Sequence, residues 1–261
     1  MLKFITGEPA LAFNKNLVVA DLHIGIETEY RRSGIKVPTQ IEKVKERIDK
    51  LIKQTKAKRL IVLGDIKHQV PGVSFQELRE VPEFFEYFSK KIETHIVLGN
   101  HDSELPALIE NKHWLETDMH NGFGPFIHDT SGFKIEGVYI CHGHANPKKE
   151  FLNCKYLIVS HTHPLFEIRD KLGYRFVERV WVKGSLDKKK VFRKYKTETK
   201  NLPEAILMPA FNPLSGGVPI NRKGTDAFSN PVTKLIETKR AEIFLLDGTF
   251  LGSLSGLTKN Y

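Results

Sequence analysis

The stretch His-Ile-Val-Leu-Gly-Asn-His-Asp at residues 95–102 joins a short apolar run to a cluster of polar side chains. Four other runs have the same form, each ending in residues that can bind a metal ion, and they begin at Leu17, Leu60, Val138 and Tyr156. Uncharged runs of this length are typical of strands buried on both faces of a sheet. Ligands bind beyond the carboxyl ends of strands in α/β sheets, so we expect the five run ends to meet at one site.

Amphipathic segments separate the runs, which indicates alternating α and β layers. Thr39 and Glu42 have the spacing of a capping box and predict a helix before the second run. Ser74 and Glu77 predict another helix after that run. These signals place the chain in the α/β class.

The pattern becomes β-rich after Leu165, and Asp247-Gly248 predicts a hairpin turn within it. No internal repeat or low-complexity linker separates the two parts of the chain. We therefore predict a single domain over residues 1–261 with a β-rich C-terminal part at about 165–261.

The chain has a formal net charge of +9, which favours polyanionic partners such as nucleic acid, anionic lipid or phosphorylated substrates. A Lys/Glu-rich surface of the thermophile kind gives a similar composition. The two cysteines, Cys141 and Cys154, lie in apolar surroundings and predict reduced core residues. Residues 1–13 lack the apolar core of a secretory signal, and no apolar run approaches membrane-spanning length. These features predict a cytoplasmic protein without a membrane partner.

The spacing of the polar residues suits metal binding. Side chains two positions apart on an extended segment point to the same side, so Asp21 and His23 are expected to reach one cation. His161 and His163 are likewise expected to face one shared site, where a slight twist directs them to adjacent cations. Asp65 has two oxygens and suits a bridge between two cations. A nitrogen and oxygen ligand set without thiolate fits Mn²⁺, Fe²⁺ or Zn²⁺. We expect two divalent ions, with Mn²⁺ first and Fe²⁺ or Zn²⁺ as alternatives.

In chain order, the motifs D-x-H, GD, GNHD, H and SH-x-H resemble the signature of the calcineurin-like metallophosphoesterase superfamily. The resemblance implies an α/β (α+β) metallophosphoesterase fold, a four-layer sandwich of two mixed β-sheets flanked by helices. It also implies a hydroxide held between two metal ions, with Asp65 bridging them. The implied ligands of the first ion are Asp21, His23 and His163. The implied ligands of the second ion are Asn100, His142 and His161.

The same resemblance implies that His101 is a general acid and that Asp102 orients it. Ser160 departs from the pattern, because the superfamily usually has glycine at this position. Ser is small, so we expect metal binding to remain intact.

The segments GDIKH, GIKVP and PAFNPLSGG are similar to a subgroup that contains archaeal phosphoesterases and the bacterial ligase-associated DNA repair endonuclease; they begin at Gly64, Gly34 and Pro209. This likeness implies a phosphodiesterase, a nuclease acting on DNA or RNA in repair or processing, with nucleic acid and helicase or ligase repair proteins as partners. A phosphomonoesterase acting on a phosphoprotein or a small phosphorylated metabolite is the alternative, and a non-catalytic scaffold is a third.

Lys67, His68 and His144 are further candidates for substrate binding, since they lie next to predicted metal ligands. A structural role for each remains open. Residues 188–200 interleave basic and aromatic side chains, which fits phosphate contacts with base stacking. A charged edge strand has the same composition.

Overall fold

The computed structural model describes residues 2–110, 125–222 and 224–258. The chain divides into two compact units. Unit 1 comprises residues 10–129 with segments 1–3 and 211–215, and unit 2 comprises residues 4–9, 130–210 and 216–261. The assignment of one domain to residues 1–261 stays a prediction.

The described strands of the first sheet have the order β1-β2-β3-β4-β5-β6. They are β1 (Lys3–Phe4), β2 (Ala10–Phe13), β3 (Asn16–Ala20), β4 (Arg59–Leu63), β5 (Glu93–Val97) and β6 (Phe126–His128). β2 is antiparallel to β3, and the pairs from β3 to β6 are parallel. The parallel pairing places the carboxyl ends of β3, β4 and β5 at the same edge of the sheet.

The described helices of unit 1 are α1 (Glu27–Arg32), α2 (Ile41–Thr55), α3 (Phe75–Ser89) and α4 (Leu105–Glu110). α2 buries an apolar stripe, as its periodicity predicts, and α3 begins with the predicted capping box of Ser74 and Glu77. The predicted cap of α2 is wrong. Its N-cap is Gln40 without a side-chain cap, because the Thr39 hydroxyl donates to Glu80 at 3.0 Å and Glu42 pairs with Lys45.

The second sheet lies in unit 2, and its described strands have the order β13-β10-β11-β12-β9-β8-β7, with β14 and β15 added beside β11. The first five are β7 (Phe133–Ile135), β8 (Val138–Cys141), β9 (Tyr156–Val159), β10 (Pro164–Arg169) and β11 (Arg175–Ser185). The others are β12 (Glu204–Leu207), β13 (Val218–Pro219), β14 (Glu242–Leu245) and β15 (Phe250–Ser253). β8, β9 and β12 are parallel neighbours, and β11 is antiparallel to β10, β12 and β14.

The described helices of unit 2 are α5 (Lys188–Tyr195) and α6 (Leu254–Leu257). Short 3₁₀ helices lie at Lys149–Asn153, Thr233–Leu235 and Thr238–Arg240, and a fourth at Pro213–Ser215 belongs to unit 1. Residues 188–195 of the basic segment 188–200 therefore form a helix, and the charged edge strand considered for this segment is wrong. Asp187 caps α5, while Val191 and Tyr195 bury its apolar side.

The two mixed sheets with helices confirm the predicted α/β (α+β) class with two mixed β-sheets. The hairpin turn at Asp247-Gly248 is also confirmed, between β14 and β15. Cys141 and Cys154 are free and buried, and burial raises the pKa of Cys141 to about 12. Among the described residues, no helix combines the length and apolar character that crossing a bilayer requires.

Candidate metal centre

Three loops of unit 1 carry predicted ligands at one edge of the first sheet. The parallel hydrogen-bond pattern continues beyond the strands: the Asp21 amide donates to the Gly64 carbonyl at 3.2 Å, and the His23 amide donates to the Asp65 carbonyl at 2.8 Å. Asp21, His23 and Asp65 have φ values of 56°, 43° and 46°. Left-handed backbone at non-glycine residues is uncommon and clusters at functional sites. Its concentration at three predicted ligands supports a functional role for this edge.

Asp65 lies at the centre of this cluster. Its Oδ2 atom is 3.8 Å from His23 Nε2 and 3.9 Å from His101 Nε2, and its Oδ1 accepts a hydrogen bond from the His101 amide at 3.0 Å. A Cβ atom on Gly99 would lie 2.2 Å from Asp65 Oδ1, so this position requires glycine. Gly99 therefore makes room for the carboxylate and the backbone amide of Asp65.

Asp102 is buried and binds backbone amides. Its Oδ1 accepts from the amides of Ile66 at 2.9 Å and Lys67 at 3.2 Å, and its Oδ2 accepts from the Gly99 amide at 2.8 Å. It thereby joins the loop after β4 to the loop after β5. The Nδ1 atom of the His101 ring pairs with the carbonyl oxygen of His68. A carbonyl therefore orients the ring directly, and Asp102 supports the ring through the backbone it holds.

Lys67 makes contacts that the sequence did not indicate. Its side chain is fully buried, and its ammonium group donates to the carbonyl of Gln69 and to that of Gly72 at 2.9 Å, and pairs with Glu104 at 3.0 Å. These three partners match the three donors of an ammonium group. The charge of Lys67 therefore serves the loop that it belongs to, and its predicted contact with substrate stays a prediction.

His68 lies between a predicted metal ligand and an acidic residue. Its Nδ1 is 3.2 Å from Nδ1 of His23, and its Nε2 pairs with the carboxylate of Glu29 on α1. Ring nitrogens of His23, His68 and His101 lie within 4.8 Å of one another. His68 thus contacts Nδ1 of His23, whereas Nε2 of His23 is the nitrogen near Asp65. The contact of His68 with substrate stays a prediction. Glu29 was missed, since no local pattern connects it to His68.

The segment Phe211–Ser215 supports the first ligand loop. The Phe211 amide donates to the Ala20 carbonyl at 2.8 Å, and the Asn212 side chain donates to the Leu22 carbonyl at 2.8 Å. Leu22 separates Asp21 from His23, so Asn212 holds the backbone between two predicted ligands. This contact gives a structural role to the PAFNPLSGG segment, which the sequence left without one. Asn100 follows Gly99 directly and is exposed.

Unit 2 carries the remaining predicted ligands on the loops after β8 and β9. His142 follows β8, and its Nε2 lies 3.2 Å from Nδ1 of His161. Two imidazole nitrogens at this separation fit one cation with metal–nitrogen distances of about 2.0–2.1 Å. His161 and His163 have φ values of 70° and 44°, which extends the left-handed backbone seen at the ligands of unit 1. His144 lies beside this pair, with its ring centroid 5.2 Å from that of His142, and its substrate contact stays a prediction.

Ser160 acts on His142. Its hydroxyl lies 2.8 Å from His142 Nδ1, and both residues are fully buried. A partner on one ring nitrogen fixes the tautomer and leaves the other nitrogen for a metal ion. Ser160, which stands where the superfamily usually has glycine, therefore adds a contact that orients His142.

The donor chemistry of both units fits divalent cations. Asp21 and Asp65 are buried carboxylates beside a buried imidazole, and buried carboxylates are stable when cations neutralise them. The paired imidazoles of unit 2 are ligands that Mn²⁺, Fe²⁺ and Zn²⁺ accept. The fit rests on oxygen and nitrogen donors, because Cys141 is held as a thiol by its raised pKa.

A family model for calcineurin-like phosphoesterases matches residues 15–236. This chain belongs to the calcineurin-like phosphoesterase family. The match spans both ligand-bearing units, and membership makes the protein a metal-dependent phosphoesterase, a hydrolase of phosphate esters.

Two solved structures resemble this calcineurin-like phosphoesterase. A nuclease from Pseudomonas putida, MPE, has 18% sequence identity and a TM-score of 0.56, covering 93% of this chain and 91% of its own. A phosphoesterase from E. coli, YfcE, has 15% identity and a TM-score of 0.40, covering 91% of this chain and 96% of its own. The comparison with curated proteins gives no match. At these identities the nuclease structure supports the fold of the calcineurin-like phosphoesterases and no more.

Proposed function

We propose that this chain is a dinuclear metal-dependent phosphodiesterase that cleaves DNA or RNA. The observation that carries the proposal is the arrangement around Asp65, where a predicted metal ligand and a predicted acid each lie within 4 Å of the predicted bridging carboxylate. The proposal gives Asp21, His23 and His163 to one metal ion and Asn100, His142 and His161 to the other. Asp65 serves both ions, and Mn²⁺ is the proposed native metal.

Bound divalent ions would lower the pKa of a water molecule and neutralise charge on the phosphoryl oxygens. The chain itself supplies the proton for the leaving group. The carbonyl of His68 only accepts, so Nδ1 of His101 carries a proton and Nε2 is the atom that exchanges one with the leaving oxygen.

Three features support a nucleic-acid diester over a small monoester. The formal net charge of +9 favours a polyanionic substrate. The sequence resembles a repair-endonuclease subgroup, and the Pseudomonas putida protein with a similar fold is a nuclease. The proposal includes a role in repair or processing, a cytoplasmic location, and helicase or ligase proteins as partners. Co-purification with such proteins tests the partner proposal.

The test is an activity panel with Mn²⁺: bis-p-nitrophenyl phosphate, p-nitrophenyl phosphate, and labelled DNA and RNA oligomers at fixed salt. We expect diester and oligomer hydrolysis, and a fall of about 10²- to 10⁴-fold in His101→Ala. His95→Gln is the matched control, since His95 lies on β5 and its ring pairs with His128 and Glu93. Turnover of monoesters without any diester hydrolysis would exclude the proposal and establish the phosphomonoesterase alternative.

A further inference from the structure

An aromatic ring in unit 1 is almost completely exposed at a rigid position. Phe75 is the first residue of α3, and 93% of its surface is accessible. The capping box fixes the backbone beside it: Ser74 Oγ accepts from the Glu77 amide, and Glu77 Oε2 accepts from the Ser74 amide at 2.6 Å. Glu77 also accepts from the amides of His68 and Gln69. The Phe75 ring therefore projects from a helix start that is bound to the loop after β4.

Basic side chains surround this ring. Phe75 lines a groove of about 780 Å³ together with Arg31, Lys36 and Arg79. Gln76 and Thr28 hold the Arg31 guanidinium at 2.6 and 2.8 Å. The acidic residue of the groove, Glu80, has a side chain that is only 3% exposed, whereas the Arg79 side chain is 71% exposed. The accessible charge beside Phe75 is therefore positive.

Helix α1 contributes one residue to the groove and the next to a cavity that the proposed acid lines. Arg31 and Arg32 are successive residues of this helix. Arg31 lines the groove, whereas Arg32 lines a second cavity of about 300 Å³ that His68 and His101 also line. Arg32 donates to the Gln69 side chain at 3.2 Å, on the wall of that cavity. Arg31 and Arg32 thus place two successive guanidinium groups between a strand bound in the groove and the cavity that His101 lines, where Glu29 pairs with His68.

We propose that this groove binds a single strand of the nucleic-acid substrate, with an unpaired base stacked on Phe75 and phosphates on Arg31, Lys36 and Arg79. Aromatic rings in a positive groove are the common means of holding unpaired strands, because every base has a face that stacks. A duplex hides these faces, so the groove selects unpaired strand. The inference rests on the proposed function and adds to it the place and mode of strand binding.

The test compares cleavage of a labelled 20-mer with hydrolysis of bis-p-nitrophenyl phosphate, both with Mn²⁺. Phe75→Ala should lower kcat/KM for the oligomer about tenfold and leave the small diester unchanged. Phe75→Trp should retain cleavage, whereas Phe75→Leu should behave as the alanine variant if stacking is the cause. Phe250→Ala is the matched control, since Phe250 lies on β15 in unit 2 and is 55% exposed.

A binding measurement separates this inference from the proposed activity. Oligomer binding to the Mn²⁺-loaded His101→Ala protein is followed by fluorescence anisotropy against salt. Adding Lys36→Ala and Arg79→Ala should weaken binding and reduce the slope of log K against log salt by about 1.4. Lys134→Ala with Lys171→Ala, two exposed lysines of unit 2, should leave the slope unchanged. Wild-type oligomer cleavage in Phe75→Ala, together with no loss of oligomer affinity when Lys36→Ala and Arg79→Ala are added to His101→Ala, would overturn the groove proposal. Wild-type protein inactive on every diester would overturn the function alone.

Discussion

Replacing Lys67 with methionine retains the length of the side chain and removes its buried ammonium group. The change leaves two carbonyl oxygens, of Gln69 and Gly72, and the Glu104 carboxylate without their donor. Removing one partner of a buried ion pair costs about 3–5 kcal/mol. The Glu104 side chain is 38% exposed and regains water, so we expect a loss at the lower end, about 3 kcal/mol.

Thermal unfolding measures this effect. A loss of about 3 kcal/mol corresponds to a Tm lower by about 6–12 °C for a chain of this size. Lys50→Met is the control, because Lys50 is an exposed residue of α2 in the same unit. The KM for bis-p-nitrophenyl phosphate should stay within about twofold of wild type in Lys67→Met. An unchanged Tm together with a KM raised tenfold would refute the reasoning and restore Lys67 as a substrate contact.

The same variant has a defined pH dependence. A hydrogen bond from Ser103 and the partnership with Lys67 lower the pKa of Glu104 to about 2. A carboxyl whose pKa is depressed on folding stabilises the folded state above its ordinary pKa, and this stabilisation is lost as the pH falls towards the folded value. Without the Lys67 ammonium group, the pKa of Glu104 is higher in the folded variant than in the wild type. The variant therefore has less of this stabilisation to lose as the pH falls. The Tm difference between wild type and variant should therefore be smaller at pH 3 than at pH 7.

Three other substitutions test the ligand loops. Ser160→Ala removes the hydroxyl beside His142 Nδ1, and the Mn²⁺ concentration for half-maximal diester hydrolysis should rise about 10-fold or more; Ser89→Ala is its control. Gly99→Ala places a Cβ atom 2.2 Å from Asp65 Oδ1, so bound Mn²⁺ measured by mass spectrometry should fall below two ions per chain. Asn212→Ala removes the donor to the Leu22 carbonyl, and unfolding in urea should show a loss of about 1–3 kcal/mol. Wild-type values in any of the three would show that the contact concerned does not support its loop.

The ligand loops were predictable because their signal is local. Each buried strand is a short apolar run, and the polar residues after it are read directly from the sequence. The capping box of Ser74 and Glu77 was predictable for the same reason, since both of its hydrogen bonds are made within one turn. Four of the predicted ligands lie within such run ends in unit 1, and the parallel pairing of β3, β4 and β5 explains why they share one edge.

Contacts between distant residues were not predictable. Lys67 is two residues from Asp65, and its sequence position gave no indication that its ammonium group pairs with Glu104 beyond the next strand. The hydroxyl of Thr39 has the spacing of a cap but binds Glu80 on α3. The partnership of His68 with Glu29 also joins separate loops. Each of these depends on tertiary packing, which a local pattern does not contain.

The basic segment 188–200 shows how one composition fits two structures. Alternating basic and aromatic residues fit an edge strand, yet Asp187 accepts from the amides of Lys189 and Lys190 and begins a helix. Val191 and Tyr195 lie four positions apart and pack into the core of unit 2. Helical spacing of these two apolar residues was the signal that distinguished the alternatives.

The central claim is that two divalent ions are needed for diester hydrolysis. The direct measurement is a Mn²⁺ titration of chelator-treated protein, in which bound metal per chain and the rate on bis-p-nitrophenyl phosphate are followed together. We expect no activity without metal, full activity at two bound ions per chain, and no recovery in Asp65→Asn. Full activity with chelator present, or at one bound ion, would contradict the claim.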